Sequence, residues 1–185
     1  MHKGVNRLRI IGGEWRSRLV EFPDVEGLRP TPDRVRETLF NWLGQNLTGK
    51  RCLDLYAGAG GLGFEALSRN ALEVVMVERS RPAVEALREN AERLRPADRL
   101  QLVQGDALEF LRGPARVFDV IFVDPPYASD ALQEALRVLP PWMAPDAVVY
   151  AESGRALSLD AGWNVRKAGK AGAVKFHLLD RSSND

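Results

Sequence analysis

Two short stretches hold the residue types that could do chemistry. The first, "DLYAGAGGLG" at residues 54–63, follows an apolar run and carries Gly58, Gly60 and Gly63 in G-x-G-x-x-G spacing. Glycines between a strand and a helix let backbone N–H groups close on a ligand at the helix amino terminus, and the literal pattern is one that cradles a dinucleotide. Glu78 stands about 20 residues further on, where an acid can accept from ribose hydroxyls. Asp54 fits a pyrophosphate poorly. A carboxylate at the end of a buried strand must be satisfied by loop N–H groups or meet a cation, and it would repel a phosphate.

The second stretch is "FVDPPYAS", residues 122–129. Pro125 and Pro126 remove two backbone donors and fix two φ angles, and Pro125 also keeps Asp124 out of helical geometry. The expected result is a stiff, extended corner presenting the Asp124 carboxylate, bare carbonyls and the Tyr127 ring. Such a corner suits the exocyclic amine of a nucleobase, a poor nucleophile because its lone pair is delocalised into the ring. The Asp124 carboxylate and the Pro125 carbonyl could take its two hydrogens, orient the lone pair and stabilise the charge that develops during alkylation. Tyr127 could stack on the base. A Pro-Pro pair also ends strands well, but a terminator needs neither a carboxylate nor an aromatic ring.

These motifs need elements to hold them. From residue 51 the chain alternates strand-like and helix-like segments: "RCLDLY" (51–56), a helix over 61–70, "EVVMVE" (73–78), and "RPAVEALRENAERLR" with Val84, Leu87, Ala91 and Leu94 on one face. "RLQLVQ" (99–104), a short helix near 107–112, "VFDVIFVD" (117–124), a helix near 130–139 and "AVVYAES" (147–153) continue the rhythm. The alternation predicts an α/β fold, a doubly wound, mostly parallel Rossmann-like sheet with helices on both faces. In the common strand order, the first and fourth core strands flank the switch point, so the glycine loop and the proline corner should face each other.

The ends depart from this rhythm. Residues 162–180 read as an antiparallel hairpin at the sheet edge, and residues 7–22 as a small basic hairpin turning at Gly12 and Gly13. "RPTPDRVRETLFNWL" (29–43) reads as a helix with Thr31 at the N-cap, Pro32 at N1, and Val35, Leu39 and Trp42 on one face. The expected division is an appendage over residues 1–45 and a catalytic domain over 46–185, with no internal repeat.

Composition is that of an ordinary globular chain: 185 residues, 45% hydrophobic and 28% charged, with a formal net charge of +1. The charge is unevenly spread. Residues 1–18 hold Lys3, Arg7, Arg9, Arg16 and Arg18 against Glu14, and residues 155–181 are similarly basic, so the middle of the chain is acidic. Two basic ends can form a phosphate-tracking rim if both lie beside the crevice. The single cysteine, Cys52, excludes an internal disulfide and reads as a buried strand residue. With no signal-peptide segment and no long apolar run, the expected location is the cytoplasm. His2 and His177 lack metal-ligand spacing, so no metal is expected, and Trp42 and Trp163 read as packing residues.

Taken together, the glycine loop resembles the S-adenosylmethionine loop of class I methyltransferases, and D-P-P-Y resembles the signature of those that methylate exocyclic amines. With "RIIGGEWRSR" and "RPTPDRVRETLFNWL" added, nearly the whole chain resembles the bacterial family that methylates guanine N2 in 16S ribosomal RNA. The resemblance implies S-adenosylmethionine as cofactor. Asp54 with the backbone around Ala57, Gly58 and Gly60 would hold its methionyl part, Glu78 its ribose and Asp106 its adenine amine, with Tyr56 and Ala107 beside them. Asp106 and Glu109 also have the spacing of a capping box, and the two roles can coexist. Asp124, Pro125 and Tyr127 would be catalytic. The RNA-binding candidates are Arg7, Arg9, Arg16, Arg18, Arg29, Thr31, Arg34, Lys170 and Lys175. The implied substrate is a small-subunit particle or assembly intermediate, and the enzyme is expected to be a monomer.

Three other readings compete. An adenine N6 methyltransferase acting on DNA or RNA uses the same corner. A nicotinamide-dependent oxidoreductase would need a second substrate domain, for which the residues after Asp106 leave no room. A non-catalytic RNA-binding module has no need of an intact D-P-P-Y corner.

Overall fold

The computed structural model describes residues 4–126 and 130–181. A two-stranded antiparallel ribbon, β1 (Val5–Arg9) and β2 (Leu19–Pro23), comes first, followed by α1 (Asp33–Trp42). The α/β alternation then runs β3 (Arg51–Asp54), α2 (Gly61–Ser68), β4 (Glu73–Glu78), α3 (Arg81–Leu94) and β5 (Leu100–Gln104). It continues with α4 (Ala107–Leu111), β6 (Phe118–Val123), α5 (Ala131–Val138) and β7 (Met143–Ser153), and β8 (Trp163–Ala171) and β9 (Val174–Arg181) come last.

The seven-stranded sheet has the order β5-β4-β3-β6-β7-β9-β8. β3 to β7 pair in parallel, so the fold is the doubly wound α/β class that the alternation predicts. β3 and β6 are neighbours, with Asp54 opposite Phe122 in register. The strand order reverses between them, and the two chemical stretches therefore leave the sheet side by side. The carboxy-terminal hairpin is antiparallel as expected, but β9 inserts beside β7 and β8 alone forms the edge.

Parallel strands covered on both faces read as unbroken apolar runs, and β4 and β6 do. Cys52, Val120, Phe122 and Tyr150 face one core cluster; Leu53, Ile121, Val123 and Val149 face the other. Cys52 is fully buried, which pushes its thiol up. Buried on all sides, α2 lies so close to the sheet that a β-carbon at Gly63 would overlap the Met76 side chain.

The amino-terminal segment shares the first cluster: Leu8, Ile10, Val20, Phe22, Val35 and Leu39 pack with Phe64, Met76 and Phe122. A buried ionic network pins it there. The Glu65 carboxylate in α2 accepts from the Ile11 and Gly12 amides at 3.0 and 2.9 Å, from Arg36 Nη1 at 3.3 Å and from Arg69 Nε at 3.0 Å. The fully buried Arg36 also donates to the carbonyls of Arg9 (3.0 Å) and Thr31 (3.2 Å). Every charge in the network meets an opposite charge, as burial requires. Trp42 packs on Phe176 with ring centroids 5.3 Å apart.

Thr31 departs from its expected place. The N-cap of α1 is Pro32, with no side-chain capping bond, and Asp33 is the first helical residue. The helix starts without its hydroxyl, and Thr31 turns that hydroxyl elsewhere.

Candidate active site

The carboxyl ends of β3, β4 and β6 carry Asp54, Glu78 and Asp124. Asp54 is 2% exposed; its Oδ2 accepts from Gly63 N–H at 3.1 Å, and the Tyr56 amide also donates to the carboxyl. Burial, and then the nearby Glu78 charge, push Asp54 up to about 7. The loop that follows reverses direction on two glycines with left-handed backbone, Gly58 (φ 54°) and Gly60 (φ 86°), a conformation that costs a larger residue strain. Ala57 N–H donates to the Val77 carbonyl at 3.0 Å and Gly60 N–H to the Ala57 carbonyl at 2.8 Å, so the turn is tied to β4 and closed on itself.

Glu78 braces the loop. Its Oε2 accepts from Gly58 N–H at 3.0 Å and its Oε1 from Ser80 N–H at 3.2 Å, which leaves lone pairs on both oxygens for a diol. Asp106 caps α4, accepting from the Leu108 and Glu109 amides at 2.9 and 3.1 Å through Oδ1. The capping role read from its spacing is present, and Oδ2 is left for an amine. Ala107 is the first residue of α4. Tyr56 is half-buried, and its hydroxyl has no hydrogen-bond partner among the described residues. Burial, then the charges of Asp106 and Glu134, push that phenol up to about 12.

This set fits S-adenosylmethionine. Carboxylates end the successive strands where a cationic methionyl group, a ribose diol and an adenine amine would lie, and the strained Asp54 gains from a cation. A dinucleotide's pyrophosphate would instead meet two like charges.

Asp124 leaves β6 beside Asp54. Thr31 Oγ1 lies 3.5 Å from Asp124 Oδ2, the contact that draws the threonine out of its cap. The Asp124 carboxyl also hydrogen-bonds that of Glu152, and burial, then the charges of Glu152 and Asp54, push Asp124 well above the usual carboxylate range. Pro125 is buried and Pro126 exposed. Tyr127, the third catalytic candidate, lies outside the described residues.

Glu152 was not among the residues the sequence suggested. It is 5% exposed, near the end of β7, and its Oε2 accepts from Tyr150 Oη at 2.8 Å. The register pairs Val123 with Ala151, so the next residues, Asp124 and Glu152, are neighbours across the strands. The available signal was an acid ending an apolar run, as at Asp54, Glu78 and Asp124.

The basic candidates divide between the two edges of the sheet. Ser153 pairs with Lys175 and Lys175 with Lys170, so both lysines stand at the carboxyl edge, Lys170 exposed and Lys175 half-buried. Arg29 and Arg34 are exposed on either side of Thr31. Arg7 is exposed and paired with Glu21 at 3.3 Å, and Arg9 is exposed on the same ribbon. Arg16 and Arg18 go elsewhere. The Glu14 amide bonds to the Ser68 carbonyl at the carboxyl end of α2, and Arg18 Nη2 to the Arg93 carbonyl near the end of α3. Both helices run back from the carboxyl edge, so this turn sits at the amino edge, about 12 Å away by the length of α2. Arg16 lines a groove of about 410 Å³ there with Gly12, Glu37, Asn41 and Arg69.

Among the described residues no His, Cys, Asp and Glu cluster could hold a metal ion, and no helix is long and apolar enough to cross a membrane.

The family described as "Conserved hypothetical protein 95" matches residues 8–180. The Ribosomal RNA small subunit methyltransferase D of Escherichia coli is 39% identical over 187 residues, covering 98% of this chain and 94% of that one. The solved structure of Escherichia coli yhhF superposes with a TM-score of 0.88 at 36% identity, covering 97% of this chain and 100% of that one. At 23% identity the fold alone is shared with the T. thermophilus 16S rRNA N2 methyltransferase RsmC, solved with AdoMet and guanosine. There the TM-score is 0.74, with 97% of this chain and 50% of that one covered.

Proposed function

The chain belongs to the Conserved hypothetical protein 95 family and is a methyltransferase that takes S-adenosylmethionine, and from that premise we propose that it methylates the exocyclic N2 of one guanine in small-subunit ribosomal RNA. The observation that carries this reading is the placement of Asp124, a carboxyl on a proline-stiffened corner, directly beside the cofactor loop across the β3–β6 switch point. The small-subunit substrate rests on the name of the 39% identical relative.

The chain's own residues act by alignment. Asp54, Glu78 and Asp106 hold the cofactor along the carboxyl edge, with the loop from Tyr56 to Gly60 closing over it. Bound there, S-adenosylmethionine supplies a methyl group already activated on a sulfonium. Asp124 and the Pro125 carbonyl take the two hydrogens of the amine and turn its lone pair toward the loop. Transfer of that methyl would form the N–C bond as the methyl C–S bond breaks, leaving a neutral thioether, and the proton the nitrogen then sheds would pass to Asp124, the carboxyl in reach. Tyr127 is assigned the face of the base. Residues 1–45 and the β8–β9 turn form the RNA rim through Arg29, Arg34, Lys170 and Lys175, with Arg7 and Arg9 further along the ribbon. This monomeric enzyme works in the cytoplasm on a small-subunit particle or assembly intermediate.

Adenine N6 is the second reading, and one observation favours it. The Asp124 carboxyl is pushed well above the usual carboxylate range, and a protonated carboxyl offers one donor and one acceptor, the complement of adenine's N1 and N6 edge. Mass mapping of 16S RNA from cells with and without the protein decides the matter: loss of one N2-methylguanosine supports the proposal, and loss of an N6-methyladenosine overturns it.

A further inference from the structure

The proline corner recognises an amine; it says nothing about which base carries it. Guanine, adenine and 2-aminopurine all present an exocyclic amine next to a ring nitrogen, and they differ at that nitrogen. N1 of guanine carries a hydrogen, whereas N1 of adenine and of 2-aminopurine is a bare acceptor. A group that reads N1 must lie beside Asp124 on the same side of the sheet.

Glu152 occupies that position. It is next to Asp124 across paired strands, its carboxyl hydrogen-bonds that of Asp124, and Tyr150 Oη fixes its Oε2 at 2.8 Å. Neighbouring strands lie about 4.8 Å apart, close enough for the two side chains to meet adjacent ring and exocyclic nitrogens on one base edge. We propose that Glu152 is the base-selecting residue of this enzyme: its carboxyl reads N1 while Asp124 takes the exocyclic amine, so guanine is chosen by two adjacent acceptors. The inference rests on the reading that the methyl acceptor is a nucleobase amine.

Guanine offers two donors on this edge, and two carboxylate acceptors match them, whereas a base with a bare N1 sets an acceptor against the Glu152 carboxylate.

The test uses small-subunit RNA carrying guanine or 2-aminopurine at the mapped nucleotide, with labelled S-adenosylmethionine. 2-Aminopurine keeps the N2 amine and lacks only the N1 hydrogen and the O6 oxygen. The wild type should favour guanine by about 100-fold or more in kcat/KM. Glu152→Gln should bring the ratio to within about tenfold, because an amide can turn its N–H toward a bare N1. Its affinity for S-adenosylmethionine should stay within about threefold of the wild type. Equal rates on the two bases in the wild type overturn the inference even if the variant fails to fold, and so does an unchanged ratio in a folded variant. A wild type that leaves guanine N2 unmethylated instead refutes the reading on which it rests.

Discussion

Asp54→Asn is expected to make the protein more stable at alkaline pH and worse at holding its cofactor. Burial and Glu78 push the Asp54 carboxyl from 3.8 up to about 7. The folded protein therefore keeps a proton on Asp54 at pH values where the unfolded chain has released it. An acid raised in this way stabilises the fold progressively less as pH climbs from about 4 to about 7, by about 1.4 kcal/mol per pH unit, and its effect is flat above. The full excursion is about 4 kcal/mol, of which about 3 kcal/mol falls between pH 5 and pH 8. Asparagine is nearly isosteric and still accepts from Gly63, but it sets an amide against the Tyr56 N–H. That loss, about 1 kcal/mol, does not vary with pH.

Urea unfolding at half-unit steps from pH 5 to pH 8.5 reads the difference directly. Relative to the wild type, the variant should gain about 3 kcal/mol between pH 5 and pH 8, a midpoint shift of about 1–2 M. S-adenosylmethionine affinity should fall in the variant and lose its rise between pH 6 and pH 7.5, because no buried anion is left for the cation to relieve. Parallel stability curves for the two proteins would show that Asp54 ionises freely in the fold and would refute the reasoning.

Asp124→Ala should lower methyl transfer at least 100-fold while S-adenosylmethionine binding, measured by calorimetry, stays within about threefold; turnover near the wild-type rate would remove Asp124 from the chemistry. Arg36→Met strands the Glu65 carboxylate and two buried carbonyls, at a cost of about 3–5 kcal/mol in urea unfolding, moderated because Arg69 still pairs with Glu65. Arg81→Ala, which breaks an exposed pair with Glu85, should cost less than about 0.5 kcal/mol, and equal effects would contradict the burial argument. Unmodified small-subunit particles should be methylated far faster than protein-free 16S RNA, and similar initial rates on the two would refute the particle assignment.

How far the sequence could be read depended on how local each cause was. β4 matches its expected range of 73–78 end to end, because a central parallel strand is an apolar run bounded by charges, and both bounds are local. The glycine loop was legible for the same reason, and Asp54 could be singled out because an acid inside such a strand has few ways to be satisfied. Thr31 misled because capping preference is a local rule, and here a partner 93 positions away took the hydroxyl. Glu152 escaped because its meaning lies in the β6–β7 register. On its own strand it is one more acid at the end of an apolar run. Arg36 looked like any polar position on an amphipathic helix, and its burial shows only once Glu65, 29 positions on, is brought against it.

The same network bears on the expected boundary near residue 45. Glu65 belongs to α2, whose amino end closes the cofactor loop, and through Arg36 it fixes the carbonyl of Thr31, whose hydroxyl reaches Asp124. The first helix thus joins α2 to Asp124 across the crevice by three successive polar contacts, two of them buried. Cutting the chain at residue 45 would bare the apolar face that Leu8, Val20, Val35 and Leu39 now cover and would leave Glu65 with Arg69 as its single cation. It would also take away the Thr31 hydroxyl from a carboxyl that already faces two others. A segment that holds RNA alone would leave the Asp124 carboxyl untouched; this one reaches it through the Thr31 hydroxyl.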